Sequence, residues 1–218
     1  MKIKPFNALL LFIALCVFVY AFFIHDNNKP LRHLPIYGEK DIIAKDTVYH
    51  TIPAFGFIDQ DGKPVTENDF EGSVYVTDFF FTTCKSICPI MSTQMERVAA
   101  AFKNNKEVKF LSHTVDPETD SVKQLKQYAI NHHADSKQWK FVTGDKKQLY
   151  DVARKGYLLD AHQGDGGVDD FIHTQNFALI DKDKRIRGFY DGTDTVQMDQ
   201  LIKDIDLLLA EYHYKEKK

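Results

Sequence analysis

Two cysteines, Cys84 and Cys88, stand four positions apart where a strongly apolar stretch changes into a helical pattern. The stretch Ser73 to Phe81 is rich in β-branched and aromatic residues, which predicts a strand buried on both faces. Pro89 follows the second cysteine, and apolar residues at helical spacing predict a helix from about Cys84 or Ile87 to Phe102. A cysteine pair at such a junction limits both the fold and the chemistry of the chain.

The spacing of the two cysteines allows them to act together. If the helix starts near Cys84, residues four positions apart share one helix face, with Cβ atoms roughly 5–6 Å apart. The two sulfurs can then close on one metal ion, or on each other if the first turn bends. Unpaired N–H groups at a helix N-terminus favour the thiolate form, which is both a metal ligand and a redox nucleophile. The alternative is a pair of buried structural cysteines.

Composition excludes several other classes of protein. The 218 residues suffice for one domain of ordinary size with attachments. A formal charge of −3 and a pI near 6.3 give no electrostatic case for binding nucleic acid. Three cysteines are too few for a disulfide scaffold, and Cys16 lies in an apolar N-terminal run. Cys84 and Cys88 must therefore pair locally or act together.

The N-terminus has the pattern of a transmembrane signal anchor, which we place at residues 1–25. Lys2 and Lys4 precede 17 residues without a charge, Ala8 to Ile24, the short end of the range for a spanning helix. The lysines predict a cytoplasmic N-terminus, with the remainder on the non-cytoplasmic (periplasmic) side. A cleaved signal peptide is the alternative. Residues 26–50 are polar, contain Pro30 and Pro35, and are predicted to form a tether.

The rest of the chain, residues 51–218, alternates between strand and helix patterns, which predicts a three-layer α/β sandwich. The predicted strands are 52–58, 63–65, 73–81, 108–115, 139–142, 171–180 and 185–190. Four helices are predicted. The first follows the cysteines, the second ends near residue 131, and the last two span 145–155 and 196–212. A glycine-bearing loop is expected at 157–170.

The stretch V-T-D-F-F-F-T-T-C at 76–84 looks like the core strand and active-site turn of a thioredoxin fold, including the acid Asp78 six positions before the first cysteine. Two features depart from that fold. The cysteines are spaced C-x-x-x-C, and the last proline is Pro117, so the fold's cis-proline has no counterpart. Both departures are shared with the Sco/SenC family of membrane-tethered copper chaperones for cytochrome oxidase assembly.

Three motifs carry the resemblance to the Sco/SenC family, in the family's order. D-F-F-F-T-T-C-K-S-I-C-P-I-M at 78–91 is similar to the cysteine motif, and T-V-D-P-E-T-D at 114–120 resembles the family's S-V-D-P-E-x-D stretch. F-I-H-T at 171–174 places His173 where the family has its histidine ligand. Lys85 replaces the proline that many members carry after the first cysteine, which leaves the ligands intact.

The resemblance implies a copper metallochaperone that delivers copper to the CuA centre of a cytochrome c oxidase. The implied ligands are Cys84, Cys88 and His173, and two thiolates with one imidazole suit Cu(I), and also Cu(II) with a fourth ligand. The implied partners are the oxidase subunit that carries CuA, an upstream copper donor and a thiol reductant. A membrane-tethered thiol–disulfide oxidoreductase stays open as the alternative, so the chain's status as an enzyme is undecided.

Several other residues have competing interpretations. Asp78 is either a buried acid that tunes the cysteines or relays protons, or an acid at a strand edge. Met91 and Met95 are soft copper donors by chemistry, but their helical spacing favours the core. Asp116 and Pro117 are expected to shape the loop near the site. The acidic Asp165, Asp169 and Asp170 are expected in a solvated loop, with docking of a partner as the alternative.

Overall fold

The computed structural model describes residues 13–20, 33–43, 46–160, 172 and 174–215. The chain divides into two compact units, Met1–Arg32 and His33–Lys218. In the first unit, residues 13–20 are helical. Within the described ranges, no helix has the length and apolar character needed to cross a membrane. The rest of the predicted anchor lies outside these ranges.

The second unit is built on a seven-stranded mixed sheet with the order β4-β3-β7-β6-β5-β8-β9, and β1 and β2 form a separate hairpin. The strands are β1 (Lys40–Ile43), β2 (Asp46–Tyr49), β3 (Gly56–Asp59), β4 (Pro64–Thr66), β5 (Val74–Phe80), β6 (Val108–Thr114), β7 (Trp139–Thr143), β8 (Asn176–Ile180) and β9 (Ile186–Asp191). The helices are α1 (Cys88–Ala101), α2 (Val122–Asn131), α3 (Lys146–Asp151) and α4 (Thr195–Lys215). A 3-10 helix spans Glu67–Phe70, and a π-helix spans Val152–Gly156.

Strand β5 lies in the interior of the sheet, paired in parallel with β6 and antiparallel with β8. All seven of its residues are buried, which confirms the prediction of a strand covered on both faces. Successive side chains of a strand point to opposite faces. Val76 and Phe80 accordingly belong to one hydrophobic cluster, and Tyr75 and Phe79 to the other.

Helices cover the two faces and complete the predicted three-layer α/β arrangement. Helices α1, α2 and α4 contribute to the cluster on the Val76 face, and α3 with the π-helix contributes to the cluster on the other. Met91 and Met95 of α1 are fully buried in the first cluster. The core interpretation of the two methionines is therefore confirmed.

The N-terminal part of the second unit contains structure that the sequence did not indicate. The compact unit begins at His33, and the β1–β2 hairpin lies within the stretch predicted as a tether. Leu34 is buried in the same cluster as Val76, and Tyr37 bridges to Ile186 at the start of β9. Residues 33–37 thus pack on the domain.

A buried arginine fastens this segment. Arg187 of β9 donates to the carbonyl oxygens of Leu34 and Pro35 at 2.7 and 2.9 Å. The same guanidinium group forms ion pairs with Asp181 at 3.0 Å and Glu211 at 2.9 Å. Glu211 in turn accepts the backbone N–H of Leu34 at 2.8 Å. Because every charge in this group is paired, the burial is tolerated.

The boundaries of three other elements differ from the predictions. The predicted strand 52–58 is ordered as a strand only from Gly56, and the predicted helix 145–155 changes at Val152 into a π-helix. The predicted strand 171–180 begins at Asn176. Most of the glycine-bearing loop, with Asp165, Asp169 and Asp170, lies outside the described residues, as does His173.

Candidate metal centre

The cysteines occupy two different structural settings. Helix α1 begins at Cys88, with Pro89 in its first turn, where a missing N–H costs nothing. Cys84 lies in the turn between β5 and α1, and its backbone N–H donates to the carbonyl oxygen of Phe81 at 3.2 Å. A helix start at Cys84 is therefore wrong, and the pair does not have the i, i+4 geometry of one helix. Both thiols are free, Cys84 partly exposed and Cys88 buried.

Burial and local hydrogen bonds shift the pKa values of the two thiols in opposite directions. Burial by itself raises the pKa of Cys84, but donors from Cys88 and Ser86 outweigh it and lower that pKa to about 7. The Ser86 hydroxyl oxygen lies 3.6 Å from the Cys84 sulfur. Burial, followed by the hydrogen bond with Cys84, raises the pKa of Cys88 to about 12. The pair thus offers one accessible thiolate and one protonated partner near neutral pH.

A buried aspartate holds the turn that carries Cys84. Asp120 is fully buried and accepts the backbone N–H of Thr82 at 3.1 Å, together with the Thr82 hydroxyl group. It also accepts the hydroxyl group of Thr114 at the end of β6. The cysteine turn is thereby joined to the neighbouring strand. Asp120 ends the T-V-D-P-E-T-D motif at 114–120, and no pattern in the sequence indicated this role.

A second buried acid, Asp78, lies on the strand that leads into the cysteine turn. Asp78 is 1% exposed on the interior strand β5, so its placement at a strand edge is wrong. Its carboxylate accepts from the Ser112 hydroxyl group at 2.5 Å, and Ser112 accepts from the indole N–H of Trp139 at 2.9 Å. Burial raises the pKa of Asp78 to about 7. Its charge acts on Cys88, whose pKa it raises.

The cysteines border a small cavity of about 110 Å³. Its lining also includes Phe81, Ile172 and Thr174. Ile172 is 3% exposed, so the segment before β8 is packed against the turn that bears Cys84. His173, between these two residues in sequence, lies outside the described part of the chain. Among the described residues, no group of three or more His, Cys, Asp or Glu could hold a metal ion.

The remaining candidate residues have structural roles. Asp116 accepts weakly from the backbone N–H of Thr119 at 3.4 Å, and Pro117 follows it in the loop. The side chain that caps α2 is Ser121, which accepts from the N–H of Gln124. Asp116 and Pro117 therefore shape the loop, as predicted, while the helix cap lies beyond it.

One buried imidazole was not singled out by the sequence. His113 of β6 is fully buried, and Phe79, which lines the cysteine cavity, stacks on it with ring centroids 4.7 Å apart. Burial lowers the pKa of His113 to about 3, so it is neutral at physiological pH. Its Nδ1 atom lies 3.1 Å from the Thr77 hydroxyl oxygen.

Fold and site together define a mixed α/β protein of thioredoxin-like type, with two thiols at the junction of a central strand and the following helix. The profile of the SCO1/SenC family matches residues 44–210. The chain belongs to the SCO1/SenC family.

Solved structures of relatives agree with this assignment. A SCO1/SenC family lipoprotein from Bacillus anthracis is 29% identical, with a TM-score of 0.64 over 73% of this chain and 95% of that one. BsSco, described as a member of the Sco family of cytochrome c oxidase assembly proteins with a disulfide switch, is 31% identical, with a TM-score of 0.62 over 73% and 93%. Arabidopsis thaliana ScoI with copper bound is 26% identical, with a TM-score of 0.58 over 72% and 98%.

Proposed function

We propose that this protein is a copper metallochaperone that binds copper through Cys84, Cys88 and His173 and serves the maturation of the CuA centre of a cytochrome c oxidase. The observation that carries the proposal is the cavity beside the cysteines. Ile172 and Thr174 line it together with both sulfur-bearing residues. The residues on either side of His173 in the chain therefore come to the cysteine turn from a segment distant in sequence.

The donor set suits the transport of copper. Two thiolates and an imidazole are soft ligands that satisfy Cu(I) in a three-coordinate site and Cu(II) with a further ligand. Zinc accepts the same donors but prefers four. A three-donor site at a partly exposed turn also favours release, since a partner's ligands can enter as the chaperone's ligands leave.

The properties of the two thiols determine the order of binding. Cys84, with a pKa lowered to about 7, supplies a thiolate at neutral pH. Cys88 must lose its proton when the metal arrives, because only the thiolate is a ligand. Copper uptake by the reduced protein should therefore release protons to the medium.

The relatives support the same function. Copper is bound in the Arabidopsis ScoI structure, and BsSco is described as belonging to a family of cytochrome c oxidase assembly proteins. The partners that follow for this chain are the oxidase subunit that carries CuA, a copper donor and a thiol reductant. We also propose that the predicted N-terminal anchor holds the domain on the non-cytoplasmic side of a membrane, and a relative described as a lipoprotein supports attachment to a membrane.

A second function, thiol–disulfide exchange with partner cysteines, has its own support. The pKa of Cys84 is low and that of Cys88 is high. Such asymmetry suits an attacking thiolate with a buried resolving partner. BsSco is described as having a disulfide switch. This function requires the two cysteines but has no requirement for His173.

Titration of the reduced full-length protein with Cu(I) and Cu(II) separates the two functions. His173→Ala should weaken copper binding, most of all for Cu(II), and leave the Cys84–Cys88 thiol–disulfide equilibrium nearly unchanged. His133→Ala is the matched control, since that imidazole is exposed and pairs with Glu96 on another part of the surface. If His173→Ala binds copper as the wild type does and supports full oxidase assembly while a cysteine variant does not, the chaperone proposal fails in favour of the exchange reaction.

A further inference from the structure

Lysine side chains line a concave surface at the end of the sheet opposite the cysteines. Strands β5, β6 and β7 run in parallel, and the cysteine turn follows the C-terminal end of β5. Two adjoining cavities, of about 450 and 380 Å³, lie at their N-terminal ends and share Lys109, Lys137 and Gln138. The lysines that line the two cavities are Lys63, Lys103, Lys106, Lys109, Lys137 and Lys140. We call this the basic surface.

The acidic residues of the basic surface do not neutralise it. Three aspartates lie among the six lysines: Asp61, Asp69 and Asp135. Asp61 is paired with a further lysine, Lys126, outside the two cavities. The local excess of positive charge stands on a chain whose formal charge is −3. It is therefore a local feature, not a reflection of overall composition.

Four of the lysines are available for an external ligand. Lys63, Lys103, Lys106 and Lys137 are exposed and form no ion pair within the described part of the chain. In contrast, Lys140 is paired with the buried Asp59 at 2.6 Å, and Lys109 donates to the backbone carbonyl of Asp69. The paired lysines, Lys109 and Lys140, are therefore held in fixed positions, whereas the unpaired lysines extend their charge into solvent.

The N-terminal segment joins the domain at this same end. Strand β9 pairs with β8 and begins, at Ile186, beside the end of β8, which lies next to the start of β5. Arg187 therefore holds Leu34 and Pro35 at the end of the sheet that bears the basic surface. These contacts of Arg187, which we call the Arg187 clamp, and the lysines are separate observations.

We propose that the basic surface rests on the anionic phospholipid headgroups of the membrane in which the chain is anchored. The inference rests on the anchored topology of the proposed function and extends it to the orientation of the domain. Lysines near an anionic surface each contribute to binding, and the attraction falls off within a Debye length of about 10 Å. Contact through this end directs Cys84 and Cys88 away from the bilayer, towards a partner that projects from it.

The single tryptophan provides a native probe. Trp139 begins β7 at the end that bears the basic surface. The full chain is reconstituted in vesicles that carry a dansyl-labelled headgroup lipid, and energy transfer from Trp139 to dansyl is measured. One set of vesicles is phosphatidylcholine, and the other contains 30% phosphatidylglycerol. We expect the transfer efficiency to be at least twofold higher in the anionic vesicles, and 0.5 M NaCl to remove the difference.

Paired variants test the lysines themselves. K103Q/K106Q/K137Q should lose at least half of the increase, whereas K123Q/K155Q/K203Q, with the same change in net charge elsewhere, should retain it. An equal transfer efficiency in the two kinds of vesicle overturns the proposal, and so does an equal loss of the increase in the two variants. The lysines would then contact solvent or an acidic protein. Failure of the chain to stay with vesicles at high salt also overturns it. Copper titration of the same preparations is independent, so either proposal can fail alone.

Discussion

Asp120 accepts both the backbone N–H and the hydroxyl group of Thr82, a residue 38 positions earlier in the chain. The contact crosses from the loop after β6 to the turn after β5. It fixes the backbone two residues before Cys84. The geometry of the candidate site therefore depends on an acid that cannot itself be a ligand while it holds this turn.

Asp120→Ala should disturb the site without removing a donor to the metal. Three buried or part-buried donor groups lose their acceptor, so we expect a loss of about 2–4 kcal/mol in the free energy of unfolding. Copper affinity should fall about 10–100-fold, the usual effect of losing a group that orients ligands. Denaturant unfolding and copper titration measure the two effects. Glu118→Ala, at an exposed position in the same loop, is the control, and an equal effect there would refute the role given to Asp120.

The difference between the two thiols predicts their order of reaction. In a Cys16→Ser background, alkylation of the reduced protein should modify Cys84 with a midpoint near pH 7, and Cys88 far more slowly. Cys88→Ala removes the main hydrogen-bond donor to Cys84, so the midpoint for Cys84 should rise towards 9. Mass spectrometry of peptides across a pH series gives both values. An unchanged midpoint in Cys88→Ala would show that the hydrogen bond does not set the acidity.

The buried Asp78 should make stability fall as pH rises. Burial raises its pKa from 3.8 to about 7, so between these values the folded state holds a proton that the unfolded state has lost. The stabilisation is fully present below about pH 4 and is lost as pH rises through 7. Asp78→Asn should therefore gain stability relative to the wild type between pH 5 and pH 8, by about 2–3 kcal/mol. Asp206→Asn, at an exposed position, is the control for the removal of a carboxyl group. A constant offset for Asp78→Asn in urea unfolding would contradict the assignment.

The Arg187 clamp should matter far more than a surface ion pair. Arg187→Ala removes a buried ion-pair partner from both Asp181 and Glu211, so we expect a loss of about 3–5 kcal/mol in the free energy of unfolding. Arg97→Ala breaks an exposed pair with Asp199 and should cost at most about 1 kcal/mol. Denaturant unfolding of both variants gives the comparison. Similar losses would mean that the buried network is not what holds residues 33–37.

Local patterns predicted the elements of this fold well, because the signals of burial on both faces and of helical spacing come from residues close together in the chain. Strand β5 was predicted from its continuous apolar run, and α1 from the spacing of Met91 and Met95. Contacts between distant residues were not predictable in this way. Asp120 lies in a stretch that resembles an ordinary helix-capping loop, and its partner Thr82 is on another element.

The N-terminal segment shows the same limit. Residues 33–37 lie within the stretch 26–50, whose polar character and two prolines are typical of a tether. Their fixed position depends on Arg187 and Glu211, more than 150 residues away in the chain. For the metal centre, the cysteine pair could be found from spacing alone. His173 was found only through the resemblance to a family, and its role remains a prediction.

The division of the cysteines between a turn and a helix has a mechanical consequence. Cys88 is held by the first turn of α1, whereas Cys84 is carried by a short non-helical segment between Thr82 and Ile87. The separation of the two sulfurs can therefore change through rotations in a few backbone bonds, with no hydrogen bond of the helix broken. A dithiol, a disulfide and a metal-bound pair require different sulfur separations. Such rotations leave the sheet and the helices of the domain unchanged.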